Sequence, residues 1–225
     1  MKSNKNYIKK VDHYLLIEEI SKNEESTLYL AIDNRNEKLM SVKAFPSKYL
    51  KENHKKEKLE KMIENILRLN HENIVRLKNY KVTTNNRYLI TDYCNGGTLS
   101  DFQKYYIDAN QSQFNELFIQ KIIKQIASGL EYMHTRNIFY NEINLDKILI
   151  NFNKYQNNAI EGKIPEKIKY SEITLDDPFT LKIADLDYYK KIEIAKEAEA
   201  ANNTQIILNP SITDRKSTRL NSSHT

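Results

Sequence analysis

The sequence predicts an α+β fold, with a β-rich N-terminal part and a helical part after it, and three observations predict it. Apolar residues alternate at strand period in "YLLIEEI", "TLYLAI" and "LMSVKAF", all between Tyr14 and Phe45. Two later segments switch to helical spacing, one at Leu59, Met62, Ile63, Ile66 and Leu69, the other at Ile119, Ile122, Ile126, Leu130 and Met133. A 225-residue chain that is 40% apolar is also large enough to fill a real core.

Taken in order, residues 1–13 read as an N-terminal tail, and three strands follow between Tyr14 and Phe45, separated by polar turns. The charged stretch 51–70 keeps one apolar stripe and reads as an amphipathic helix laid on the sheet. "NIVRLKNY" and "RYLITDY" are two more strands joined by the polar turn "TTNN". "NGGTLSDF" breaks the pattern, and a long helix runs from about Phe114 to His134. "KILI" and "TLKIAD" are short strands separated by a polar segment of roughly 30 residues with scattered Gly and Pro. No internal repeat is visible.

Composition excludes several classes. Cys94 is the single cysteine, so no internal disulfide forms. The Met1 end carries no charged leader with an apolar run, and no stretch approaches the roughly 20 apolar residues that span a bilayer. The expectation is a soluble, cytoplasmic protein with no membrane partner. The net charge of +5 is spread as interleaved lysines and glutamates, which argues against a nucleic-acid partner. "DRKSTRLNSSH", Asp214 to His224, back-translates without a gap to a common sequencing-library adapter, so 214–225 is read as an artefact and set apart from fold reasoning. On that reading the native chain continues beyond Thr213.

From Tyr14 to Ser211 the chain resembles the protein kinase superfamily. The likeness rests on "LYLAI", "SVKAF", "HENIVRL", "YLITDYCNGGTL", "QIASGLEYMH" and "LKIAD", all in the family's order. It implies a two-lobe fold with ATP between the lobes: an N-lobe and hinge over 14–94, and an incomplete helical C-lobe over 95–213.

The same resemblance assigns roles. The family's phosphate-covering G-x-G-x-x-G-x-V falls on "SKNEESTL", where Ser21, Asn23 and Ser26 replace the glycines, Leu28 replaces the valine, and Glu24 and Glu25 put negative charge at the tip. The plainer reading of this stretch is an ordinary hairpin turn. Lys43 matches the lysine that contacts the α- and β-phosphates, but its usual glutamate partner becomes Met62. Glu60 and Glu64 lie two residues to either side, roughly 200° around the helix. Thr91 is at the gatekeeper position, the backbone of Asp92 and Cys94 would meet an adenine edge, and Leu28, Ser41 and Leu149 would face the base.

"YNEINLDKI" stands where the family has H-R-D-L-x-x-x-N: Tyr140 for the histidine, Asn141 for the arginine, Glu142 for the catalytic aspartate, Asn144 for the lysine and Lys147 for the metal-binding asparagine. The extra methylene of Glu142 displaces the carboxylate, and a misplacement of about 1 Å costs on the order of 10²-fold in rate. Lys147 puts positive charge where Mg²⁺ wants an oxygen. "DLD" matches the D-F-G triplet, retaining Asp185 as the metal position, with Leu186 for the Phe and Asp187 for the glycine. Asn209-Pro210-Ser211 stands for A-P-E. Asn141 lacks the charge that would pair with a phosphorylated activation segment.

The functional expectation is a pseudokinase: a regulatory or scaffolding module with protein partners, an active kinase among them, with residual ATP binding and little role for Mg²⁺. The alternative is a divergent Ser/Thr protein kinase in which Glu142 is the base, Lys43 grips the nucleotide and Asp185 holds a single metal.

Overall fold

The computed structural model describes residues 7–24, 26–50, 60, 63–64, 66–138, 143–155, 157–160 and 163–184. Six antiparallel strands make the first layer: β1 (Lys9–Val11), β2 (Tyr14–Lys22), β3 (Thr27–Asp33), β4 (Leu39–Pro46), β5 (Leu77–Val82) and β6 (Asn86–Asp92), in the spatial order β1-β2-β3-β4-β6-β5. β1 extends the sheet into the segment read as a tail, pairing Lys10 with Leu15 and Val11 with Tyr14. The hairpin between them turns through Asp12 at φ 56°, a left-handed position that Asp tolerates better than most residues.

The two faces of this sheet divide the N-lobe. Val11, Tyr14, Leu16, Ala31, Met40, Val42, Tyr88 and Ile90 pack together on one face. Leu30, Ile32 and Leu39 form a second cluster. Both follow from strand periodicity, since cross-strand partners share a face and alternate residues leave it. Of the stripe on the amphipathic segment, Ile63, Ile66 and Leu69 are buried while Glu64 is exposed, as the helical spacing requires.

The second lobe begins with an element the sequence reading passed over. α1 (Leu99–Asn110) starts within "NGGTLSDF", which reads as a break. Thr98 caps it: the Asp101 amide donates to Thr98 Oγ1 at 3.0 Å, and the Thr98 hydroxyl donates to the Asp101 carboxylate at 2.6 Å. A T-x-x-D pattern ahead of Phe102 was the signal available. α2 (Glu116–His134) is capped by Asn115, whose Oδ1 accepts from the Phe118 amide. Its buried line is Phe118, Ile122, Gly129 and Met133, rotated from the predicted face, and Ile119 is exposed. The rotation follows from Phe118, which buries fully in an aromatic cluster with Phe102, Phe114 and Phe179. The antiparallel pair β7 (Ile148–Phe152) and β8 (Phe179–Ile183) packs with these helices among the described residues.

Among the described residues, two segments connect the lobes besides the hinge. In "HENIV", the buried Asn73 side chain donates to Gln125 Oε1 on α2 and to the Leu181 carbonyl on β8, both at 3.0 Å. Its own carbonyl accepts from the Ile183 amide, and Val75 donates back to the Ile183 carbonyl. Gly129 of α2 permits this approach, because a Cβ there would stand 3.0 Å from the Asn73 carbonyl and 2.9 Å from Ile183 Cδ1. The second crossing is the long β7–β8 connection, 153–178, whose described residues bond the N-lobe sheet at Glu18, Glu37 and Leu39 and the C-lobe side at Gly96.

Candidate functional site

The register of β3, β4 and β6 assembles one end of the site. Leu28 is opposite Lys43, which is opposite Leu89; Leu30 is opposite Ser41, which is opposite Thr91. Strand pleating therefore brings Leu28, Ser41, Lys43 and Thr91 to one face, together with Leu30, which the sequence reading did not include. Leu30 lies two residues after Leu28 on the same strand, so the period alone was enough to find it. Lys43 is half-buried, its ammonium 5.2 Å from the Phe45 ring centroid. The Thr91 hydroxyl turns back to donate to the Ser41 carbonyl at 3.4 Å.

Immediately after Thr91 the chain becomes the hinge. Asp92 alternates to the opposite face, where its carboxylate pairs with Lys78 at 3.1 Å and its amide donates to the Arg76 carbonyl. Cys94 is buried, and desolvation pushes its thiol up to about 12, so it stays protonated at neutral pH. The far end of the hinge is tied to β7: Asn95 exchanges bonds with Phe152 through both side-chain amide atoms, Gly96 donates to the Ile150 carbonyl, and Ile150 donates to Gly97. This pairing sets half-buried Leu149, bridged to Thr98, on the strand below the hinge. Gly96 is required by close approach, since a Cβ would meet the Ile150 carbonyl at 2.8 Å.

The end of the sheet at the β2–β3 turn is built differently. β2 and β3 close in a tight turn: the Asn23 amide donates to the Ser26 carbonyl at 2.9 Å, and Asn23 Oδ1 accepts from both the amide and the hydroxyl of Ser26. Asn at the start of a β-turn does this by its side-chain geometry. Asn23 and Ser26 are thus bonded to each other, with Ser26 buried and Glu24 exposed.

On the C-lobe side, Asn144 caps a single 3-10 turn, Leu145–Lys147, by accepting from the Lys147 amide at 3.1 Å. The Lys147 carbonyl accepts from the Ala184 amide at 2.8 Å, which places Lys147 beside the residue that precedes Asp185. Glu25, Met62, Tyr140, Asn141, Glu142, Asp185, Leu186, Asp187 and the 204–211 segment lie outside the described residues.

Comparison with known proteins agrees with this arrangement. The protein kinase domain family matches residues 14–222. This chain belongs to that family. It is 29% identical to calcium-dependent protein kinase 4 of Plasmodium falciparum over 62% of its own length and 25% of that protein. It is 24% identical to serine/threonine-protein kinase ATG1 of Debaryomyces hansenii over 91% of its length and 25% of that protein. The chain thus spans about a quarter of the length of these curated relatives. Among solved structures, Rad53 1-466 in complex with AMP-PNP superposes with a TM-score of 0.56 at 22% identity, covering 77% of this chain and 38% of that one. The likeness shows the kinase fold. Among the described residues, no helix of this kinase domain is long and apolar enough to cross a membrane.

Proposed function

We propose that this kinase domain works as a pseudokinase, a regulatory or scaffolding module that engages protein partners and holds ATP chiefly by its adenine end. The turn between β2 and β3 carries the reading. A phosphate-covering loop works by presenting free backbone N–H groups at close range. Here the Asn23 and Ser26 amides bond inside the turn, and Glu24 adds negative charge at its tip. The adenine end fits a base: Ser41 is small, Thr91 bonds away from the hinge, and hinge backbone recognition does not depend on side-chain identity. The structural neighbour is a complex with AMP-PNP, which supports nucleotide binding as such.

The metal end does not fit. Mg²⁺ takes oxygen donors, and Lys147 stands at the asparagine position next to the strand that leads to Asp185. Phosphoryl transfer depends on positioning and charge neutralisation, so Glu142 alone leaves the γ-phosphate poorly neutralised. The active-kinase reading draws on the retained Lys43 and Asp185.

Thermal shift with ATP, with and without Mg²⁺, and a phosphotransfer assay on the wild type, Glu142→Asp and Asp185→Ala separate the two readings. The expected result is a small stabilisation nearly independent of Mg²⁺, with phosphotransfer at background in all three proteins. Strongly Mg²⁺-dependent binding together with phosphotransfer that Asp185→Ala abolishes would establish the enzyme reading instead.

A further inference from the structure

The β7–β8 connection, Asn153–Pro178, touches both lobes and the hinge through bonds that do not belong to either lobe's own core. It leaves β7 where Asn95 Nδ2 donates to the Phe152 and Tyr155 carbonyls at 3.1 and 3.3 Å. It then runs along the hinge, where Asn157 Nδ2 donates to the Tyr93 carbonyl at 3.2 Å and to Asn151 Oδ1 at 2.6 Å. From there it lands on the N-lobe twice.

The first landing is on the β3–β4 turn. The Leu39 amide donates to the Asn157 carbonyl at 2.9 Å, and the Ala159 amide donates to the Glu37 carbonyl at 2.7 Å, a short antiparallel bridge centred on Lys38 and Asn158. Ala159 is buried with Leu30, Ile32 and Leu39. The second landing is on β2, where Ile164 packs with Ile17 and Tyr93 against that cluster and Lys167 Nζ meets Glu18 Oε1 at 2.6 Å. The segment then returns to the C-lobe. Tyr170 sets its ring against Phe102 and Tyr105 of α1 and donates its hydroxyl to the Gly96 carbonyl at 2.8 Å, and Lys154 pairs with Asp177 to close the base of the loop.

We propose that the described residues of the 153–178 segment form an interlobe strap that fixes the angle between the two lobes of this kinase domain. Any rotation about residues 92–95 moves the N-lobe landings relative to the C-lobe anchors. The two Glu37–Leu39 backbone bonds, the Lys167–Glu18 pair and the Ile164 packing would then have to break or be carried along together. Because the strap bonds the Tyr93 carbonyl directly, it acts at the pivot as well as across the lobes. The device is independent of whether phosphotransfer survives.

The test is an interlobe distance distribution by electron spin resonance on the full chain, with labels at Val82→Cys in the N-lobe and Lys124→Cys on α2, both exposed positions. Cys94 is buried with its thiol pushed up to about 12, so it does not compete for label. The labelled parent should give one narrow distribution. Lys167→Glu, a change at an exposed side chain, should broaden it, and adding Glu18→Lys should narrow it again. Asn157→Ala should broaden it further and speed amide exchange at Leu39 and Ala159 by about tenfold, because the bonds those two amides donate are made across the docked strap. A parent distribution as broad as that of the variants, or variants indistinguishable from the parent, would overturn the strap. So would a Lys167→Glu broadening that Glu18→Lys leaves unchanged, since the pair would then not be the tie.

Discussion

Among the described residues two segments join the lobes beside the hinge, and they hold by different physics. The 71–75 crossing is short, buried and stereochemically exacting: one asparagine side chain bonds to α2 and β8 and two backbone groups bond to β8, all at 2.9–3.0 Å, against a glycine that leaves no room for a Cβ. The strap is long and polar, and makes its ties at separated points through side-chain amides, a two-bond backbone bridge and an exposed ion pair. A crossing of the first kind depends on residue identity at each position and fails as a unit. One of the second kind loses its ties one at a time. The first should therefore be felt in global stability, and the second in local exchange and lobe geometry.

The largest effect belongs to the buried crossing. In Gly129→Val the new Cβ meets the Asn73 carbonyl at 3.0 Å and Ile183 Cδ1 at 2.9 Å, with a branched side chain still to place. Overpacking of this kind costs about 3 kcal/mol, which outweighs the roughly 1 kcal/mol that replacing a mid-helix glycine can return. Urea unfolding should show a lower midpoint with an unchanged slope. A midpoint within error of wild type would mean that α2 and the 71–75 segment shift apart without loss, and the contrast between the crossings would collapse.

A smaller effect is expected at the strap's return to the C-lobe. Tyr170→Phe keeps the ring against Phe102 and Tyr105 and removes only the bond to the Gly96 carbonyl. Burial already pushes the Tyr170 hydroxyl up to about 12, so it is a neutral donor at all ordinary pH values. Its removal should cost about 1 kcal/mol, independent of pH between 5 and 9, as read by unfolding at several pH values.

How much of this was legible follows the same division. Strand period and helical spacing carry the sheet and α2, because each is built from contacts between residues close in pattern; the 71–75 crossing was not read, since "NIVRLKNY" reads as one strand while the strand begins only at Leu77. Leu28, Ser41, Lys43 and Thr91 were named by the family resemblance, and strand register sets all four on one face of the sheet. The rotation of α2 was missed because Ile119 and Phe118 are equally apolar in the pattern, and only the aromatic cluster decides which one turns inward. The strap left no signal. Asn157 bonds Tyr93, 64 residues away, and Lys167 bonds Glu18, 149 residues away, and neither asparagine nor lysine in a polar run announces a distant partner. The catalytic-loop substitutions were plain in the sequence, since Lys147 and Glu142 depart from a motif whose chemistry fixes each position.

The smallest expected effect is also the one that separates the crossings most cleanly. Asp33 ends β3 and shapes the turn on which the strap lands: its backbone bonds Lys38 and Glu37, and its carboxylate accepts from the Arg35 amide at 3.0 Å and from the Arg35 guanidinium at 3.0 and 2.7 Å. The Arg35 guanidinium holds the Asp33 carboxyl below its ordinary value of 3.8, reinforced by the Arg35 amide and by nearby His13. A carboxylate with a lowered folded-state pKa contributes stability that is complete above its unfolded pKa and is lost as pH falls through the folded one. Acidification from pH 5 towards pH 2 should therefore loosen the turn and speed amide exchange at Leu39 and Ala159, while Val75 and Ile183 in the buried crossing keep their protection. In Asp33→Asn the fast exchange at Leu39 and Ala159 should already be present at neutral pH and should no longer respond to acid in that range. Equal acid sensitivity at Val75 and Leu39 would show that the two crossings open together and that the strap has no separate stability.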